Sequence, residues 1–310
     1  MLVGALLLFI DLFLPWQDFG NDLTDAVGVD ASFNGWRGFA GFILGILTIV
    51  PFIWMISTSF KREVDVFSFP IQWIPPAFTT QPYERVLGVG SLISASRSVP
   101  FWKAYLNSIT VTVPGVIGPL VTSTLAGYAF ARLRFPGRQA IFLLYLGTMI
   151  IPEQVLMVPR FMIANWLHIY NTHWALILPY MITAFGVFLI RQACLTIPQD
   201  LFDAAQIDGA GHLQRVWTVV VPSIGPQLSA LALILFIWRW NDYGTPLIMI
   251  NRSELFTIPL TVAAFIESHS EVNYPAIMAA AVLGTIPLMI LFIFVNRYFV
   301  QSVVSSGVKG

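Results

Sequence analysis

IPQDLFDAAQIDGAGHLQRVWTVVVP, residues 197–222, is a charged interruption in an otherwise apolar chain. Thr196-x-x-Gln199 fits a capping box, in which the two side chains satisfy free backbone N–H groups, and Pro198 is tolerated in a first helical turn. A short helix is expected to follow through Ala205 or Gln206. Gly209 and Gly211 then let the backbone reverse. Leu213, Val216, Trp217 and Val220 recur at i, i+3, i+4 and i+7, the stripe of a second helix that Pro222 ends. The predicted product is an amphipathic helix–turn–helix lying against one face of a membrane. A helix resting on lipid headgroups carries Lys and Arg on its polar face, yet here three acids face only Arg215 and His212.

The membrane follows from composition. Of 310 residues, 57% are hydrophobic and only 10% charged, against about a quarter charged in a soluble domain. The deficit runs along the whole chain, so a lipid solvent explains it better than a large core. Sixteen basic residues balance sixteen acidic ones, which offers no hint of nucleic acid. The single cysteine, Cys194, excludes an internal disulfide framework and reads as a small buried hydrophobe. No Cys/His spacing suggests a metal site.

A hydrocarbon core of about 30 Å needs about 20 apolar residues in helix. Six runs meet that test, near 38–58, 105–131, 139–159, 174–195, 226–250 and 276–299. Lipid cannot satisfy exposed backbone groups, so each is expected to be helical. With the first of the six entering from the cytoplasm, Arg132, Arg134, Arg138, Arg191, Arg215, Arg297 and Lys309 are internal. The outer short loops then carry only Arg160 and Arg252, although the long loop 59–104 carries five further bases. The short, acid-free ARLRFPGR turn is the stronger indicator and favours this orientation over its reverse.

Residues 1–35 form a separate extension. MLVGALLLFIDLFLPW is apolar but contains Asp11 and lacks a basic lead, so it is a poor signal peptide and reads as an additional transmembrane or interfacial segment. The loop 59–104 is too long for a mere connector and reads as a partly structured cap, since Pro70, Pro75 and Pro76 forbid a continuous helix.

DAAQIDGAG, followed thirteen positions after Gly209 by Pro222, resembles the EAA loop of ABC importer permeases. YLNSI (105–109), GYAFARLRF (127–135) and RYFVQSVVSSGVKG (297–310) extend the resemblance to the sugar-importer branch, similar to the smaller maltose-type subunit, over residues 36–310. Asp203 stands in place of the family's Glu, and Val221 in place of the Leu before Pro; charge and apolarity are kept. The resemblance implies an all-α polytopic membrane protein with a six-helix type I transmembrane domain at 36–310. It implies that Asp203, Ala204, Ala205, Asp208, Gly209, Ala210 and Gly211 dock on an ATP-binding subunit. The small alanines suit close approach, and the acids offer anionic contacts at the rim. It also implies that the C-terminal tail, with Gly307 and Lys309, reaches the ATPase dimer; a frayed terminus is the alternative.

The same resemblance implies a second permease subunit, two ATP-binding subunits, an extracytoplasmic substrate-binding protein and residence in a prokaryotic inner membrane. ATP chemistry is not expected on this chain. A phosphate-cradling loop needs G-x-x-x-x-G-K-[ST], and neither Lys61, Lys103 nor Lys309 follows such a run. ATP and Mg belong on the partner subunits, and no cofactor or catalytic residue is expected here.

Polar residues within spans are costly and usually face a cavity or a partner. In FIWRWNDYGTP, residues 236–246, Arg239, Asp242 and Tyr243 are placed on one face and Trp238 and Asn241 on the next. Such a set suits a sugar, whose hydroxyls need donors and acceptors and whose CH faces pack on rings. An Arg239–Asp242 ion pair that only ties helices is the competing reading. Glu153 and Gln154 follow Pro152, which is expected to kink the third span, and Glu153 either meets substrate or bridges helices. Gly41-x-x-x-Gly45 permits close packing in the first span. The cargo is expected to be a disaccharide or oligosaccharide, with glycerol phosphate the main alternative. A proton-coupled carrier rests only on Glu153 and Asp242, and an integral-membrane enzyme lacks a reactive constellation.

Overall fold

The computed structural model describes residues 47–88, 101–267 and 273–307 and divides the chain into two units. Among the described residues the structure is helical, without strands. The residue 1–35 extension, the Gly41–Gly45 pair and Lys309 lie outside the described residues.

Unit 1 comprises residues 1–95 and 265–288. It contains α1, described over Leu47–Thr58, and α2 (Gln81–Leu87); the first part of the predicted 38–58 span lies outside the described residues. Between them no α-helix forms, as Pro70, Pro75 and Pro76 require, and aromatic side chains organise the segment instead. Phe60 stacks on Phe78 with ring centroids 4.5 Å apart, and Trp54 meets Trp73 edge-on. Lys61 is fully buried, its ammonium donating to the Gln72 carbonyl and lying 4.0 Å from the Trp54 ring centre. Burial pushes its pKa down, with the nearby Asp65 charge acting in the opposite sense. Val64, Phe67, Phe69, Ile71 and Ile74 remain exposed.

Unit 2 comprises residues 96–264 and 289–310 and holds both sequence-predicted sites. Its central rod is α3 (Phe101–Arg132), 32 residues long. At 1.5 Å per residue it spans roughly 48 Å, longer than a hydrocarbon core. Then come α4 (Arg138–Gly147), α5 (Met157–Trp166), α6 (His173–Ile177) and α7 (Ala184–Thr196). These lead into α8 (Gln199–Ile207), α9 (His212–Ser223), α10 (Gly225–Trp240) and α11 (Gly244–Met249). The last two helices are α12 (Ile258–Glu267) and α13 (Tyr274–Gly307).

Small residues let α3 and α7 approach closely. A Cβ added to Gly127 would lie 2.8 Å from Ile190 Cγ2 and 2.9 Å from the Arg191 backbone nitrogen. At Gly186 it would collide with the Ser123 hydroxyl. The buried core of this half then joins Tyr128 of α3, Ile190 and Cys194 of α7, Phe202 of α8, Val216 and Val220 of α9, and Leu231 and Leu235 of α10.

Among the described residues, three helical segments are long and apolar enough to cross a membrane: Phe101–Arg132, His173–Thr196 (α6 and α7 together) and Tyr274–Ile293. The predicted third span is instead a pair, Arg138–Ile150 and Glu153–Trp166, bent by 93°. Pro152 supplies no N–H, and the residue before it, Ile151, is driven to extended backbone at φ −78°, ψ 117°. The expected kink is therefore a right-angle break. The predicted fifth span, 226–250, is also divided, since α10 stops at Trp240 and α11 begins anew at Gly244.

Candidate functional site

The 197–222 segment folds as the predicted helix–turn–helix, with its ends built differently. The capping box does not form. Thr196 is the last residue of α7, where its hydroxyl donates back to the Ala193 carbonyl at 2.8 Å, and Pro198 precedes α8 without a side-chain cap. Gln199 turns instead to Asp203, donating to Oδ1 at 2.9 Å. The far end of α8 closes through the Ala210 N–H on the Ala205 carbonyl (2.9 Å) and the Gly209 N–H on the Gln206 carbonyl (3.0 Å). These crossed bonds require a left-handed residue between them, and Gly209 supplies it at φ 81°. Gly211 is not the second hinge: it is extended at φ −67°, ψ 168°, a conformation open to any residue.

Burial sorts the loop into an anchored side and an open side. Ile197, Phe202, Ala210, Val216 and Val220 are buried, whereas Asp203, Ala204, Asp208, Gly209 and Gly211 are exposed and Ala205 is half-buried. The predicted stripe on α9 therefore splits, because Leu213 and Trp217 face outward. A π-helical turn spans Val216–Val220 just before Pro222, which has no N–H to continue the α pattern. Two side chains of α3, Tyr128 and Arg132, tie the loop down. The Tyr128 hydroxyl lies 3.2 Å from His212 Nδ1, and the Arg132 guanidinium sits 4.5 Å from the Phe202 ring centre.

The two polar stretches read separately in the sequence meet in one network. Arg239 and Asp242 form the ion pair at 3.2 Å, and the Arg239 guanidinium lies 3.4 Å from the centre of the Tyr180 ring. The Arg239 stem packs so closely on α3 that a Cβ at Gly115 would sit 3.2 Å from its Cγ. Asp242 also accepts from the Thr245 backbone N–H at 3.1 Å, while the Thr245 and Tyr180 hydroxyls are 2.6 Å apart. From the other side Arg160 donates to the Tyr180 hydroxyl at 3.1 Å and reaches Glu153 at 3.6 Å. Because α10 ends at Trp240, Tyr243 is not on the helical face of Arg239; it flanks the start of α11. Trp238 is exposed and packs against Phe185, Asn241 bonds its own helix at the Ile237 carbonyl, and Gln154 is exposed.

A family model described as the binding-protein-dependent transport system inner membrane component matches residues 123–305. That range covers most of the chain, including the helix–turn–helix and the whole polar network. The chain belongs to this family of inner-membrane transport components. Among its relatives is the arabinooligosaccharides transport system permease protein AraQ of Halalkalibacterium halodurans, 31% identical over 88% of this chain and 95% of the relative. The sn-glycerol-3-phosphate transport system permease protein UgpE of Yersinia pestis is 31% identical over 85% of this chain and 94% of that protein. A solved structure of a bacterial ABC transporter involved in the import of the acidic polysaccharide alginate has a similar fold, with TM-score 0.74 and 24% identity over 87% of this chain.

In this inner-membrane component, sequence reading missed the residues that join its parts. Arg132 entered only as a charge orienting the spans and Arg160 only as an outer-loop charge, while Tyr180 and Thr245 carried no signal. Spacing along the chain cannot reveal a network whose members come from α5, the turn after α6, α10 and α11.

Proposed function

We propose that this chain is a transmembrane permease subunit of an ATP-driven carbohydrate importer, working by alternating access. The observation that carries the coupling role is the two-sided loop. Its apolar side is locked into the core by Phe202, while Asp203, Ala204, Asp208 and Gly209 stand exposed on a helix ended by a left-handed glycine. Such a surface suits a groove on a separate ATP-binding protein. Two such ATPases, binding ATP and Mg, would close and drive α8, and the shared core would pass that motion to α3, α7 and α10. A sister permease and an extracytoplasmic binding protein complete the assembly in a prokaryotic plasma membrane, and Gly307 and Lys309 extend the contact with the ATPases.

A neutral sugar fits the polar network better than a phosphate. A phosphoryl cargo, suggested by the glycerol-3-phosphate relative, needs a free guanidinium. Arg239 is instead neutralised by Asp242 and covered by Tyr180, and Arg160 is engaged by Tyr180 and Glu153. Exposed Trp238 and Tyr243 offer rings for sugar CH faces.

The test is Gly209→Val in the reconstituted importer. A β-branched residue at φ 81° is strained by about 1–2 kcal/mol, so the loop end must distort. Uptake and substrate-stimulated ATP hydrolysis should both fall while membrane insertion persists; unchanged transport would remove the coupling role.

A further inference from the structure

Arg132, the last residue of α3, reaches across the junction between α7 and α8. Its Nε and Nη2 donate to the Cys194 carbonyl at 3.1 and 2.7 Å, Nη2 also donates to the Ile197 carbonyl, and Nη1 donates to Gln199 Oε1 at 2.9 Å. The guanidinium carbon lies over the Phe202 ring. The acceptors have a chemical reason to be free. In a continuing helix the Cys194 carbonyl would accept from residue 198, but residue 198 is proline and has no N–H. Ile197 is extended at ψ 130°, so its carbonyl also leaves the helical ladder. The proline that separates α7 from α8 thus creates two unsatisfied carbonyls at the negative end of the α7 dipole, where a cation is favoured.

We propose that Arg132 is the positioning residue that makes α8 move with α3 and α7 rather than pivot at Ile197–Pro198. This inference rests on the coupling role of the loop. The apolar contacts of Phe202 and Val216 resist compression but not sliding, because dispersion has no direction. A planar fork bonded to two main-chain carbonyls and one α8 side chain, and stacked on a second, fixes the angle of α8. Lysine cannot replace it, having neither the fork nor the flat face. Without the fork, a partner that grips α8 would swing that helix about its proline, and hydrolysis would proceed with little transport.

The experiment is uptake per ATP hydrolysed, measured in proteoliposomes with the complete importer carrying Arg132→Met or Arg132→Lys. Methionine keeps the apolar stem, and lysine keeps the charge. The ratio should fall about tenfold for Arg132→Met and about threefold for Arg132→Lys, within the range of coupling between linked sites. The ATP-binding subunits should still co-purify in wild-type proportion. A wild-type ratio in both variants overturns the proposal. If Arg132→Met does not assemble, Gln199→Ala, at an exposed position, removes the α8 arm together with the Gln199–Asp203 bond and should lower the ratio about twofold, while Asp203→Ala, which removes that bond alone, is the control for it; a ratio for Gln199→Ala equal to that of Asp203→Ala also overturns it. Gly209→Val, run in parallel, separates the two ideas. If it abolishes uptake and the Arg132 variants do not, only the positioning role fails; if it changes nothing, the coupling role fails and takes this inference with it.

Discussion

Arg132 and Arg239 are two arginines in the same unit, each laid on an aromatic ring, at 4.5 Å from Phe202 and 3.4 Å from Tyr180. Their remaining donors go to different kinds of acceptor. Arg132 bonds main-chain carbonyls at the end of α7, which cannot turn away without unwinding the helix. Arg239 bonds a carboxylate, and Asp242 can release it by rotating about a side-chain bond. The first arrangement makes a rigid joint between helices. The second is a pair of side chains that a single rotation can part.

Substitutions at the two arginine sites separate these roles. The largest effect is expected from Asp242→Asn, which keeps the shape and the bond to Thr245 but leaves Arg239, its side chain only 9% exposed, without a counter-charge. A loss of about 3 kcal/mol is expected from thermal unfolding of the purified complex, and Arg239→Met combined with Asp242→Asn, which keeps the acceptor for Thr245, should recover most of it. Gly127→Leu should come next, costing about 2 kcal/mol by forcing α3 and α7 apart where they pack closely. Its mark is a drop in both stability and uptake, since the rigid joint is built on that contact. Tyr128→Phe removes the bond to His212 and should cost about 1 kcal/mol, read by the same melting assay, with insertion intact. Glu153→Gln should be smallest, under about 1 kcal/mol, because Glu153 is 60% exposed and 3.6 Å from Arg160. A larger loss of stability there would make the Glu153 pair a structural tie, and so blur the contrast with Arg132.

Much of the fold was legible because lipid and proline act locally. Apolar length placed α3 and the Tyr274–Ile293 span, and proline chemistry located the break at Pro152 and the unwound loop around Pro70. Gly209 was read correctly as a turn residue, since its left-handed conformation depends on its immediate neighbours. Local logic failed where a distant group competed. Thr196-x-x-Gln199 has the pattern of a capping box, but Arg132 and Asp203 take the Gln199 side chain and the Ala193 carbonyl takes the threonine hydroxyl. The unbroken fifth span failed for a local reason that apolar length hides: 226–250 is apolar enough throughout, yet Asp242 bonds the backbone of Thr245, three residues on, where a new helix starts.

By itself the sequence determined that the chain is helical and membrane-bound and that one short charged hairpin is set apart from the spans. Those properties depend on transfer of side chains to lipid and on proline and glycine geometry, which neighbours in sequence suffice to express. Only the tertiary structure decided which arginine bonds main-chain carbonyls and which bonds a carboxylate. Hydrogen bonds act over about 3 Å, and the acceptors of Arg132 lie more than sixty residues along the chain.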